Sequence, residues 1–122
     1  MAAAAAASAE PARMSMEAAD ALHAAGDAEG ALRMVEALTA GAPEDAALLY
    51  RRSRWTAGAL PAGSAERAPL VERAIADARR AVALAPDTVP PHKALAVALG
   101  KKTGLVGNGE RIALCVAAAR LA

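Results

Sequence analysis

The chain is 122 residues long and 39 of them are alanine; without alanine the apolar residues number only 29, phenylalanine is absent, and the net charge is +1. Alanine has the highest helix propensity and loses no side-chain entropy on folding, so this composition predicts an all-α protein of thin, closely approaching helices. It excludes a β-sandwich, a barrel or a parallel-sheet enzyme, because the residues that would build strands are missing.

Residues 1–13 are predicted to be a disordered alanine-rich tail, and residues 14–122 a single helical-repeat domain. The tail lacks a basic start and soon meets Glu10 and Pro11, so it does not fit a secretory signal, although organelle targeting stays open. Glycine and proline then divide the chain. A first helix is predicted from Met14 to Ala25, and a second from Ala28 to Ala40 with Ala31, Leu32, Val35 and Leu38 on one stripe. The third starts with Pro43 as its first helical residue, has Glu44 and Asp45 at the positive end of the dipole, carries Leu48, Leu49, Arg52 and Trp55, and stops by Leu60. The fourth runs from Arg67 to Leu84 on the stripe Val71, Ala74, Ile75, Ala78, Val82. The fifth begins at Pro90-Pro91 and holds Leu95 and Leu99. Lys101-Lys102-Thr103-Gly104 separates it from a sixth, Asn108 to Ala122, with Ile112, Cys115, Val116 and Ala119. Helices with one narrow apolar stripe each cannot stand alone and must stack in antiparallel pairs. No run of ~18 apolar residues is free of charge or proline, so no membrane span is expected.

Two segments repeat. Gly26-Asp27-x-Glu29-Gly30-Ala31-x-x-x-Val35-x-x-Leu38 leads to Pro43, and Ala74-x-x-x-Ala78-x-x-Ala81 leads to Pro86. This pattern is similar to the second half of a tetratricopeptide repeat, where a small residue lies at a close helix crossing and a proline stops the helix. The predicted repeat-packing positions are Gly26, Ala31, Val35, Leu38, Pro43, Trp55, Ala74, Ala78, Ala81 and Pro86. The two prolines are 43 residues apart rather than the ~34 of a regular repeat, and an enlarged loop around Gly58 to Ala68 accounts for the excess.

The order of segments is more specific. Ala18 to Asp27 is followed by Leu49-x-Arg51-Arg52-Ser53-Arg54, then Val71-Glu72-Arg73-Ala74-Ile75, then Ala83-Leu84-Ala85-Pro86-Asp87, then Pro91-His92-Lys93-Ala94-Leu95-Ala96-Val97. Over residues 16 to 100 this arrangement resembles the regulator of microtubule dynamics family. The resemblance implies a short right-handed tetratricopeptide-like array in which His92-Lys93 opens a repeat. It also implies a partner, tubulin or microtubules, met through acidic tails, and a cytoplasmic location on microtubules. The family continues into further repeats, so the domain reads as truncated at its C-terminus.

Charge is unevenly spread. Residues 1–45 carry eight acids and two arginines, and residues 46–122 twelve bases and five acids. Arg51, Arg52, Arg54, Arg79, Arg80, Lys101 and Lys102 are the candidate partner-binding residues, able to attract an acidic protein. The competing reading makes them a solvated face, or pairs them with the acidic N-terminal helices. Trp55 is expected to fill the core, the alternative being an anchor in a peptide groove. Cys115 is expected to be a buried, inert thiol. No metal is expected at His23 or His92, which lack partners at ligand spacing, and no catalytic motif or cofactor fingerprint is present. Nucleic acid is disfavoured, for want of interleaved aromatics. The sequence therefore predicts a non-catalytic protein-interaction module, a microtubule-associated regulator. The alternative is an assembly protein that forms homo-oligomers through an uncapped C-terminal helix, since Ile112 to Leu121 is not polar.

Overall fold

The computed structural model describes residues 14–105 and 108–121; the expected tail, 1–13, lies outside them. Every regular element among the described residues is helical: α1 (Met16–Ala24), α2 (Ala28–Gly41), α3 (Ala46–Gly58), α4 (Ser64–Leu84), α5 (Val89–Lys102), a 3-10 turn (Thr103–Leu105) and α6 (Asn108–Leu121).

Short polar side chains set the helix starts. Ser15 accepts the Ala18 N–H at 3.1 Å to begin α1, and Asp27 accepts the Gly30 N–H at 2.9 Å to begin α2. Between them Gly26 has φ +94°, a conformation that side chains with a Cβ avoid. Gly26 is therefore required by the backbone and not by packing, for a Cβ placed there would meet nothing. The start of α3 also differs from the expectation. Pro43 is exposed in the turn before the helix, and Asp45 is the cap, accepting from Ala47 at 3.0 Å and Leu48 at 3.4 Å. A carboxylate that satisfies two free N–H groups outweighs the fit of proline to the first helical position.

The repeat is written into the backbone. Helix α2 ends at Ala42 with φ −143° and ψ 68°, and α4 ends at Ala85 with φ −141° and ψ 67°. A proline follows each, and the N–H of Asp45 or Thr88 then donates back to the Ala42 or Ala85 carbonyl at 3.2 and 3.3 Å. The same exit turn occurs twice, 43 residues apart, and launches α3 and α5 at the same spacing. The extra length is not the loop expected over Gly58 to Ala68. Helix α4 begins at Ser64 and runs 21 residues against 14 for α2, and it keeps Pro69 inside it, where the ring removes the N–H that would otherwise reach the Ala65 carbonyl.

Successive helices pack on one another, and α3 also lies against α5, with α4 across both. The main core is Val71, Ala74, Ile75 and Ala78 of α4 against Ala94, Leu95, Ala98 and Leu99 of α5. Ala31, Ala74, Ala78 and Ala81 are fully buried, as is Val35. A methyl group at each crossing lets two helix axes come close, so here alanine sets the packing distance. Leu38 is only half-buried, and Pro43 and Pro86 are exposed: the prolines end helices and do not pack.

Two expectations about the core are corrected. Trp55 is half-buried at the edge of α3, not inside. The interior place on α3 belongs to Ser53, fully buried, whose hydroxyl donates to the Ala74 carbonyl at 2.7 Å. A small hydroxyl fits where an indole would hold α3 and α4 apart. Cys115 is exposed rather than buried, on a helix that also exposes Ile112 and Val116. The stripe Ile112, Cys115, Val116, Ala119 faces away from α5, not towards it.

Candidate functional site

Helix α1 is only nine residues long, and two contacts tie it to α3. The Arg51 guanidinium grips Asp20 with two hydrogen bonds, Nε to Oδ1 at 2.7 Å and Nη2 to Oδ2 at 2.9 Å. One turn on, the rings of His23 and Trp55 stack with centroids 4.6 Å apart and planes 8° from parallel. Positions 20 and 23 share a face of α1, and 51 and 55 share a face of α3, so the contacts run side by side.

Around them lies an open groove of about 410 Å³ lined by Asp20, His23, Tyr50, Arg51, Arg54 and Trp55, together with three small residues. Arg51 has little left to offer a ligand. Its Nη1 donates to the Ala47 carbonyl at 3.0 Å, and its guanidinium sits 4.9 Å from the Tyr50 ring centroid. The hydrogen bonds from Arg51 hold the Asp20 carboxyl below its ordinary range, against the opposing pull of burial. The same bonds raise Arg51, so its charge is fixed. Arg54 also faces the groove, is exposed, and makes no hydrogen bond or ion pair with a described residue.

The predicted basic residues do not form one surface. Arg52 turns away from the groove to α4, where Asp77 takes both its Nε and Nη2 at 2.8 and 2.7 Å. Arg80 pairs with Glu44 at 3.0 Å, and Lys102 with Glu72 at 3.0 Å. Arg73, not among the candidates, pairs with Glu36 at 3.1 Å. Three of these pairs, Asp20–Arg51, Glu36–Arg73 and Glu44–Arg80, join the acidic first 45 residues to the basic remainder. Much of the charge asymmetry is thus spent inside the molecule, fastening α1, α2 and the turn after it to α3 and α4.

Of the seven candidates, Arg54, Arg79 and Lys101 stay exposed without an ion pair to a described residue. Lys93 joins them, and sequence reasoning did not single it out as a binding residue. The 43-residue repeat is the signal that finds it. Tyr50, Arg54 and Gly58 form one line along α3, and the residues 43 further on, Lys93, Val97 and Lys101, form the equivalent exposed line along α5. The two helices pack together, so Arg54, Lys93 and Lys101 belong to equivalent faces of neighbouring helices. His92 meets the Pro86 carbonyl through Nε2 at 2.8 Å, a local contact at the start of α5.

Compared with family models, curated proteins and solved structures, the chain matches none. Its chemistry has to be taken from its own side chains. Among the described residues no group of His, Cys, Asp or Glu could hold a metal ion, and no helix is long and apolar enough to cross a membrane. What the groove and the cation line offer is the rings of Trp55 and Tyr50 beside positive charge that no described residue pairs.

Proposed function

We propose that this protein is a non-catalytic helical-repeat module that binds an acidic protein segment across α3 and α5. The observation that carries this reading is the division of its cations. Arg51, Arg52, Arg73, Arg80 and Lys102 are paired across helices or the turn before α3, while Arg54, Lys93 and Lys101 are exposed, make no ion pair with a described residue, and lie on equivalent faces of adjacent helices. Cations held on a rigid surface steer an acidic partner and raise its encounter rate, at ionic strengths that do not screen them. The acidic tails of tubulin have this chemistry, and the resemblance over residues 16 to 100 favours them, with a right-handed tetratricopeptide-like array as the scaffold and microtubules in the cytoplasm as the place of action.

Co-sedimentation with microtubules tests it. The protein pellets at low salt and is released by ~0.3 M salt, where the Debye length falls well below 10 Å. Charge reversal at Arg54, Lys93 and Lys101 abolishes pelleting, while reversal at Arg79, on α4, does not. A protein that stays in the supernatant at low salt rules the microtubule assignment out.

A second reading is self-assembly through α6, favoured by Ile112 at 65% and Val116 at 45% exposure. Arrays normally end in a polar face. Light scattering that finds a strict monomer at high concentration rejects it.

A further inference from the structure

The α1–α3 groove already contains a bound carboxylate, and it belongs to the protein itself. Asp20 reaches Arg51 with both oxygens, at 2.7 and 2.9 Å, in a groove whose other free charge is that of Arg54. The Asp20 side chain is 45% exposed while that of Arg51 is 16% exposed. The acid therefore sits at the mouth and the guanidinium on the floor. Arg54 and Trp55 line the same groove, so a carboxylate that takes the place of Asp20 on Arg51 meets them as well.

We infer that the groove is a binding site for a carboxylate-bearing extended peptide, and that Asp20 is a built-in competitor which the ligand displaces from Arg51. This rests on the acidic-partner reading above and assigns it a specific seat. The partner's chemistry follows from the internal occupant: a planar carboxylate matches the guanidinium fork in two-point geometry. The groove in its closed form has the charges of Arg51 and Arg54 against the one of Asp20, leaving an excess for a second acid on the same peptide. An intramolecular competitor lowers apparent affinity by the fraction of molecules in which Arg51 is free. Asp20 thus sets the threshold below which weakly acidic segments fail to bind.

The test uses a fluorescein-labelled hexaglutamate peptide, with hexaglutamine as control, followed by anisotropy at low salt on the full chain. Asp20→Asn binds hexaglutamate roughly tenfold more tightly than the native protein, the size of one added charge-assisted hydrogen-bonded pair. Adding Arg51→Gln to Asp20→Asn removes the gain. If the gain survives without Arg51, only the overall charge mattered and the inference is overturned. If the native chain binds but Asp20→Asn binds no better, the groove is not the seat, while the acidic-partner reading stands on Arg54, Lys93 and Lys101. If neither protein binds hexaglutamate, both fail together. Should Asp20→Asn loosen α1, which circular dichroism would show, the native chain decides: the Arg51 Nε–H proton resonance shifts on titration with hexaglutamate if the partner is exchanged. An unmoved resonance at saturation rejects the exchange.

Discussion

Arg52 of α3 and Asp77 of α4 form a two-point ion pair at 2.7 and 2.8 Å in which the aspartate side chain is only 8% exposed. It fixes which face of α3 meets α4, because the neighbouring residue, Ser53, must simultaneously reach the Ala74 carbonyl. Where the packing surface is mostly methyl groups, one helix could slide along another at little cost. A paired charge with a defined geometry removes that freedom.

Breaking this pair one-sidedly should be costly. Arg52→Met leaves Asp77 buried without its partner and is expected to destabilise the fold by about 3 kcal/mol. Arg52→Met with Asp77→Leu should recover most of that loss, since neither charge is then stranded. Urea unfolding of the single and double variants measures both. A double variant no more stable than Arg52→Met would show that the pair is not what the single substitution breaks.

The alanine at the α3–α4 crossing should resist enlargement. Ala74→Leu puts three extra carbons into a contact with no exposed surface and should cost about 1–3 kcal/mol, while also pulling its carbonyl from Ser53. Ser53→Ala removes only the hydroxyl bond and should cost about 1 kcal/mol. Equal tolerance of both changes, read from thermal midpoints, would contradict a closely packed crossing.

Acid should weaken the hold on α1. The hydrogen bonds from Arg51 lower the Asp20 pKa from its ordinary 3.8, so the folded protein binds that proton less readily than the unfolded chain. The contribution is complete above the ordinary value and is lost as pH falls through the lower, folded one. Arg51 stays charged throughout. The native protein should therefore exceed Asp20→Asn in stability at pH 6, by no more than about 1 kcal/mol because Asp20 is half-exposed, and the two should converge towards pH 3. A gap that widens with acid would reverse the sign and exclude this pair as its source.

The helices were legible in the sequence because their causes are local. Ala31 and Val35, or Ala74, Ala78 and Ala81, recur at steps of three and four, and Gly26, Ala42-Pro43 and Ala85-Pro86 mark the ends. The start of α3 was misplaced because two local rules compete there, proline at the first helical position and aspartate as cap, and spacing alone does not rank them. The early start of α4 falls within the expected loop for a related reason: Pro61 and Gly63 read as loop, yet the helix begins directly after Gly63.

The groove lay beyond such rules. Nothing near Asp20 in the chain indicates that Arg51 will neutralise it, or that His23 will cover Trp55; each contact spans 31 or 32 residues and exists only once α1 and α3 lie alongside one another. Composition by itself determined an all-helical chain with alanine at its crossings and an acidic first third set against a basic remainder. The tertiary structure decided what those charges do: Arg51, Arg52 and Arg80 became internal ties, and Arg54, Lys93 and Lys101 stayed without an ion pair to a described residue. The physical reason is that an ion pair depends on distance between helices, whereas helix formation depends on distance along the chain.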